Sequence, residues 1–321
     1  MTIIKTFKII LNRFSIYRYL RVIFRVGLVR YLQCKWQLRS ILNARPVRTL
    51  PTGSNLVCCE FHIMTSQSDW LMALWAAWSF YHFSQVEWPL VIHDGGGLSQ
   101  KILLQMVRLF PNMRFIGWEE ANLEIEEFLL RKGFHNLLEA RRRNVMIRKL
   151  VDFSMMGKSP CFISCDSDVL FFSKPERLLE LAKGNGPPFG FNRDSHTMYS
   201  IDSHHAKLWF GLTLPEKLNA GLGVLTRREV DLDFLNTAFA PGKIPPDKDA
   251  FPEQTACALL VARAGTDGFL PKNYSVATGT SPLNLEAIGA ISRHYVGPVR
   301  HLFFDEGLLN LLNLIGEKYH K

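Results

Sequence analysis

From residue 56 onward the chain alternates short apolar runs with helical stretches, and this alternation restricts its fold more than any other feature. "LVCCEFHIM" (56–64) reads as a strand and "DWLMALWAAWSFYHF" (69–83) as a buried helix. "PLVIHDGGGLS" (89–99) reads as a strand ending in a turn, and "QKILLQMVRLF" (100–110) as an amphipathic helix. "RRRNVMIRKLVDFSMMG" (141–157) predicts another helix, and "CFISCDSDVLFFSKP" (161–175) a further strand. Strands that alternate with helices predict an α/β fold with a mainly parallel, doubly wound sheet flanked by helices, whose ligands bind beyond the carboxyl ends of the strands. The uncharged stretch 70–86 contains Ser79, His82, Ser84 and Gln85, and suits a crossover helix better than a membrane span. "DGGG" (94–97) lacks the spacing of a phosphate-cradling loop and reads as a tight turn.

The charge is unevenly placed. All 321 residues together carry a net charge of +9, but eleven of the basic side chains fall within the first 48 positions and the first acid is Glu60. The remainder holds 27 basic against 29 acidic residues, so the body is close to neutral. That distribution, with no reader motif, argues against nucleic acid as a partner. Residues 3–42 interleave Arg and Lys with Ile, Leu, Phe and Val, a pattern for one or two basic amphipathic helices able to lie on an anionic membrane surface; an arm packed on its own domain is the other reading. "NARPVRTLPTGSN" (43–55) has the composition of a linker. We therefore divide the chain into an arm and linker, 1–53, and a domain, 54–321. Six cysteines without CxxC spacing read as reduced core thiols, which fits a cytoplasmic location, peripheral to the membrane if the arm binds it.

Asp166 and Asp168 sit inside an otherwise apolar run. On a strand, alternate residues share a face about 6.5–7 Å apart, which puts both carboxylates near the strand end. Two buried carboxylates need compensation; Mn²⁺ or Mg²⁺ between them would supply it, and a nucleotide diphosphate would complete the oxygen ligands. Two solvated aspartates at a strand end remain the simpler alternative for the triplet alone. The run Arg141, Arg142 and Arg143 reads most simply as a solvated helix face.

Four further stretches follow in order: "IRKLVDF" (147–153) before the aspartates, then "LNAGLGVLTRREV" (218–230), "FPEQTACALL" (251–260) and "RHYVGPVRH" (293–301) after them. Together with "CDSDVLFFSKP" they resemble the GT-A-fold nucleotide-sugar glycosyltransferases, most closely family 8, over residues 54–304, and so imply a mixed, mainly parallel, Rossmann-like sheet. The resemblance implies a DxD motif in which Asp166 contacts the ribose and helps hold the metal, Asp168 ligates it directly, and His294 is the third ligand. It implies that Gly297 lets the backbone approach the diphosphate and that Arg300, where the family has Lys, neutralises it. Asn219 and Gln254 would face the sugar, Glu253 would lie near the acceptor, and Lys149 would reach the sugar or the phosphates. The implied reaction moves a sugar from a nucleotide-diphosphate donor to a hydroxyl on a saccharide, lipid-linked or protein acceptor, with retention at the anomeric carbon. Departures at His301-Leu302 and Thr255 bear on the acceptor more than on the donor. The loop "APGKIPPDKDAFP" (240–252) is long enough for an acceptor-side lid. Two other readings are a GT-A-like binding protein without turnover and a haloacid-dehalogenase-type phosphatase. The second departs at Leu170 and lacks a convincing later acidic pair.

Overall fold

The computed structural model describes residues 28–53, 57–247, 251–279 and 281–319. The chain divides into two compact units between Asn43 and Ala44. In the first, a helix spans Leu28–Arg39 and a 3₁₀ turn Ser40–Asn43. Val29, Leu32 and Trp36 share one face of that helix and are 71%, 57% and 74% exposed, while Cys34 and Leu38 are buried. The expected helices before residue 28 lie outside the described residues. Residues 44–53, linker-like in composition, belong to the second unit: Val47 N donates to Leu109 O at 2.7 Å and Leu50 N to Glu87 O at 2.6 Å.

In the second unit the strands are β1 (Cys59–Thr65), β2 (Leu90–Asp94), β3 (Arg114–Ile116), β4 (Cys161–Cys165), β5 (Val169–Phe171), β6 (Phe189–Arg193), β7 (Leu218–Thr226), β8 (Tyr274–Val276) and β9 (Ser292–His294). Six form one sheet in the order β3-β2-β1-β4-β7-β6. The first four run parallel, while β7 pairs antiparallel with both β4 and β6. A second sheet, β5-β9-β8, receives the chain as it leaves β4. The parallel order reverses direction between β1 and β4, and at such a switch point the strand ends leave a crevice. The helix Trp70–Ser84 is buried along most of its length, as a sequence apolar on nearly every side requires. The helices Gln100–Leu109 and Val145–Met156 start at Ser99 and Asn144, whose side chains accept from Ile102 N and Met146 N. No helix among the described residues is long and apolar enough to cross a membrane, and no disulfide joins any of the six cysteines.

Buried charge ties the layers together. Glu60 on β1 is wholly buried and accepts from the amides of Lys158 (2.7 Å) and Ser159 (3.2 Å) and from Arg227 Nη2 (3.2 Å). It thereby joins β1 to the approach to β4 and the end of β7. The Arg141–Arg143 run corrects the sequence reading. Arg142 and Arg143 are exposed partners of Glu126 and Glu139, but Arg141 is only 1% exposed. Its Nε and Nη2 bind Asp152 Oδ1 and Oδ2 at 2.7 and 2.9 Å. That planar two-point fit is what lets a guanidinium be buried. The "DGGG" turn is a local device: Asp94 Oδ1 accepts from Gly96 N, and Gly96 and Gly97 take φ of 132° and 78°.

Candidate active site

Strand β4 ends at Cys165, so Asp166 and Asp168 occupy the tight turn between β4 and β5 rather than one continuous strand. Asp166 O accepts from Val169 N (3.3 Å), and Asp166 N donates to Gly221 O (2.7 Å), pinning the turn to β7. His294 arrives by strand pairing: β5 and β9 run antiparallel with Val169 opposite His294, and Tyr295 N donates to Asp168 O at 2.9 Å. The sheet thus closes a gap of 126 residues in sequence. One ligand atom from each of Asp166, Asp168 and His294 lies within 4.8 Å of the others.

The orientation of His294 follows from its neighbours. Asn219 Nδ2 donates to Asp194 Oδ2 at 2.8 Å, which fixes the way the amide faces. Its Oδ1 then accepts from Gly221 N (3.0 Å) and from His294 Nδ1 (2.9 Å). Nδ1 therefore carries a proton, and Nε2 faces the aspartates, 3.1 Å from Asp168 Oδ1 and 3.6 Å from Asp166 Oδ2. A Cβ at Gly221 would overlap the His294 ring. "LNAGLG" therefore has a local reason: Asn219 orients the imidazole and Gly221 makes room for it. Between Phe191 and Asn192 the β6–β7 register shifts so that Asn192 opposes Asn219, and such a bulge re-aims side chains beside a site.

The remaining charges converge on the same turn. Arg300 Nη2 and Nε bind Asp168 Oδ2 at 2.7 and 2.8 Å, and its Nη1 lies 3.8 Å from Asp69. Gly297, exposed and at φ +25°, opens the 3₁₀ turn Gly297–Val299 that leads to Arg300. Lys149, 3% exposed, places Nζ 2.6 Å from Asp166 Oδ1 and 3.1 Å from Glu253 Oε1. Burial opposes the Lys149 charge, but Asp166 and then Glu253 more than offset it, so the ammonium is held. Burial lifts the Glu253 carboxyl to about 7, with Lys149 opposing the rise. Burial likewise works against the Asp168 charge, yet His294 and Arg300 outweigh it and hold that carboxyl at about 2. Gln254 Nε2 donates to Met198 O at 2.9 Å. A cavity of about 280 Å³ is lined by all nine residues singled out from the sequence: Lys149, Asp166, Asp168, Asn219, Glu253, Gln254, His294, Gly297 and Arg300. Residues 248–250 of the loop read as a lid lie outside the described residues.

Two carboxylates and an imidazole nitrogen, once it gives up its proton, are a donor set for Mn²⁺ or Mg²⁺. Asp168 Oδ1 supports the fit: it is buried, faces His294 Nε2 at 3.1 Å and is left without a hydrogen-bond partner. Sequence reading missed Asp194 and Asp69. Asp194 acts through Asn219, 25 residues away on a strand paired only in the fold, and no sequence spacing announces such a contact.

No family model matches the chain, and no curated protein matches it in sequence. Solved structures do. The bifunctional glycosyltransferase WbbM, without ligand, aligns over 83% of this chain and 51% of its own, at 11% identity and a TM-score of 0.51. The galactosyltransferase LgtC, in complex with donor and acceptor sugar analogues, aligns over 80% and 95% at 15% identity and 0.48. Mouse xyloside xylosyltransferase 1, apo, aligns over 73% and 96% at 13% identity and 0.47. At such identities the likeness concerns the fold, and the WbbM alignment carries it. The chain has the GT-A fold, the Rossmann-like architecture of nucleotide-sugar glycosyltransferases.

Proposed function

We propose that residues 44–321 form a metal-dependent glycosyltransferase that moves a sugar from a nucleotide-diphosphate donor to a hydroxyl acceptor. The convergence of Asp166, Asp168 and His294 at the switch point of a GT-A sheet, with Arg300 beside them, carries this reading. Asp168, His294 and Asp166 would hold the cation, which when bound supplies charge neutralisation for the diphosphate. Arg300 has a planar guanidinium able to leave Asp168 for the diphosphate and hold it at two points. Asp166, just beyond the end of β4, would contact the ribose. Lys149 and Glu253 form the wall on which sugar hydroxyls can donate and accept, and a carboxyl near 7 does both around neutral pH.

In the reaction the bond from the anomeric carbon to the diphosphate oxygen breaks and a bond to the acceptor oxygen forms. The acceptor's proton passes to the departing diphosphate. We propose retention of configuration. As a general base Glu253 would favour inversion, but its carboxylate is engaged by Lys149, which also holds Asp166, and it would then sit beside the donor and not at the acceptor as the resemblance implied. Gln254 lines the cavity with its amide nitrogen turned to Met198. NMR of the product's anomeric proton decides this point: an inverted linkage would overturn it.

We further propose a cytoplasmic protein held at the membrane surface by residues 1–42. The exposed stripe Val29, Leu32 and Trp36, next to Arg and Lys, has the two components of an interfacial helix. The test of the donor site is thermal stabilisation by a panel of nucleotide sugars with and without Mn²⁺. At least one should stabilise the protein only with the metal; stabilisation by none would refute the donor assignment.

A further inference from the structure

We infer that Glu306, together with Arg293 and Gly307, is a positioning residue that sets where Arg300 stands and so gives its guanidinium reach to a donor's diphosphate. This rests on the transferase reading and deepens it. Strand β9 is used on both faces. His294 turns to the aspartates, and strand alternation sends Arg293 and Tyr295 to the opposite side. There they meet a π-helical turn, Phe303–Leu308. Arg293 Nε lies 2.7 Å from Glu306 Oε1, and the two side chains are 4% and 0% exposed. Glu306 Oε2 also accepts from Leu283 N at 2.6 Å, and Arg293 Nη1 donates to Ser275 Oγ on β8 at 3.3 Å. Tyr295, fully buried, sets its ring edge-on to Phe303. Its hydroxyl lies against Gly307, where a Cβ would overlap it.

Arg300 lies between these two anchored stretches. The chain leaves β9 at His294, passes through the turn Gly297–Val299, and comes back onto the reverse face of the same strand. Along the way the amides of Val299, Arg300, Phe303 and Phe304 donate to Val296, Gly297, Arg300 and His301, all within the segment. Val299 and Leu302 are buried, but apolar contact is non-directional and leaves the register open. A buried ion pair is weak evidence for stability, because apolar residues of similar volume often serve as well; its better-attested use is to fix one register. In this segment the register decides the reach of a guanidinium whose two-point grip on Asp168 or a diphosphate needs a defined geometry. His294 has other holders, in Asn219 and in the pairing of β5 with β9. Arg300 is therefore the side chain that depends on the pair. The π-helical form of the turn agrees with this, since such turns are frequent at functional sites.

The test separates position from stability. Replacing both partners, Arg293→Met with Glu306→Leu, removes the pair without leaving a lone buried charge. Affinity for UDP, GDP and ADP is measured with Mn²⁺ by calorimetry, and Mn²⁺ affinity alone by electron paramagnetic resonance. The double variant should lose about tenfold or more in Mn²⁺-dependent diphosphate affinity, while its affinity for Mn²⁺ alone does not fall. In an Arg300→Ala background the same two substitutions should cost nothing further, because residues acting through one group are not additive. Gly307→Ala, which keeps the pair but pushes the turn off Tyr295, should repeat this pattern and carries the test if the double variant does not fold. Full diphosphate affinity in the variants, an equal loss in the Arg300→Ala background, or a parallel loss of Mn²⁺ affinity would each overturn the inference. Failure of the transferase reading looks different: the wild-type protein binds none of the three diphosphates with Mn²⁺, and this inference falls with it.

Discussion

At the scale of single residues the site is held by partners whose side chains have one satisfactory arrangement. Asp168→Asn is nearly isosteric, so the fold should survive in circular dichroism while Mn²⁺-dependent nucleotide binding is lost; binding with unchanged metal dependence would mean the cation sits elsewhere. Asn219→Ala removes the acceptor that holds His294 Nδ1–H, and loss of such an orienting partner lowers metal affinity about 10–100-fold, measurable by Mn²⁺ titration with electron paramagnetic resonance. Gly221→Ala should do the same by pushing the ring aside. Unchanged Mn²⁺ affinity in both variants would sink the orienting role. At this scale the sequence singled out residues that the fold brings to one cavity, because carboxylates in an apolar run and Asn-x-Gly in a glycine-rich strand are chemically conspicuous. It did not show how they meet. Asp194 was illegible because its contact spans a bulge, and the burial of Arg141 because Asp152 is a helix-to-helix partner.

At the scale of elements, alternation of apolar runs and helices made the parallel half of the sheet legible. Antiparallel β7 was not, since a strand's direction depends on its connection and not on its composition. Splitting the expected long strand into β4 and β5 also escaped the sequence: both halves are equally apolar, and only pairing with β9 draws the second away. The two central parallel strands share a buried polar pair, His62 Nδ1 and His93 Nε2, 3.0 Å apart. Burial lowers His62 to about 4, against the upward pull of Glu60. In the unfolded chain His62 takes a proton near pH 6.5, whereas in the fold it does so only near 4. Its contribution is therefore present above pH 6.5 and lost as pH falls toward 4, about 3 kcal/mol over that window. Urea unfolding at pH 7 and pH 4.5 should show the loss, and His62→Gln should reduce it; equal pH slopes in the two proteins would contradict the assignment.

At the scale of the whole molecule, our proposal gives sugar transfer to a nearly neutral body and membrane contact to a basic N-terminal segment. Deleting residues 1–42 should release the protein from anionic vesicles while nucleotide still binds, and wild-type binding should weaken as salt screens the attraction. Co-sedimentation that is equal with neutral and anionic vesicles would contradict the arm's role. The proposed activity depends on a donor site at the end of β4. Its most direct test is release of nucleoside diphosphate from a panel of nucleotide sugars, followed with Mn²⁺, with a chelator and in Asp168→Asn. We expect Mn²⁺-dependent release from at least one donor, abolished by the chelator and by the substitution. Release that persists in both, or no release from any donor, would contradict it.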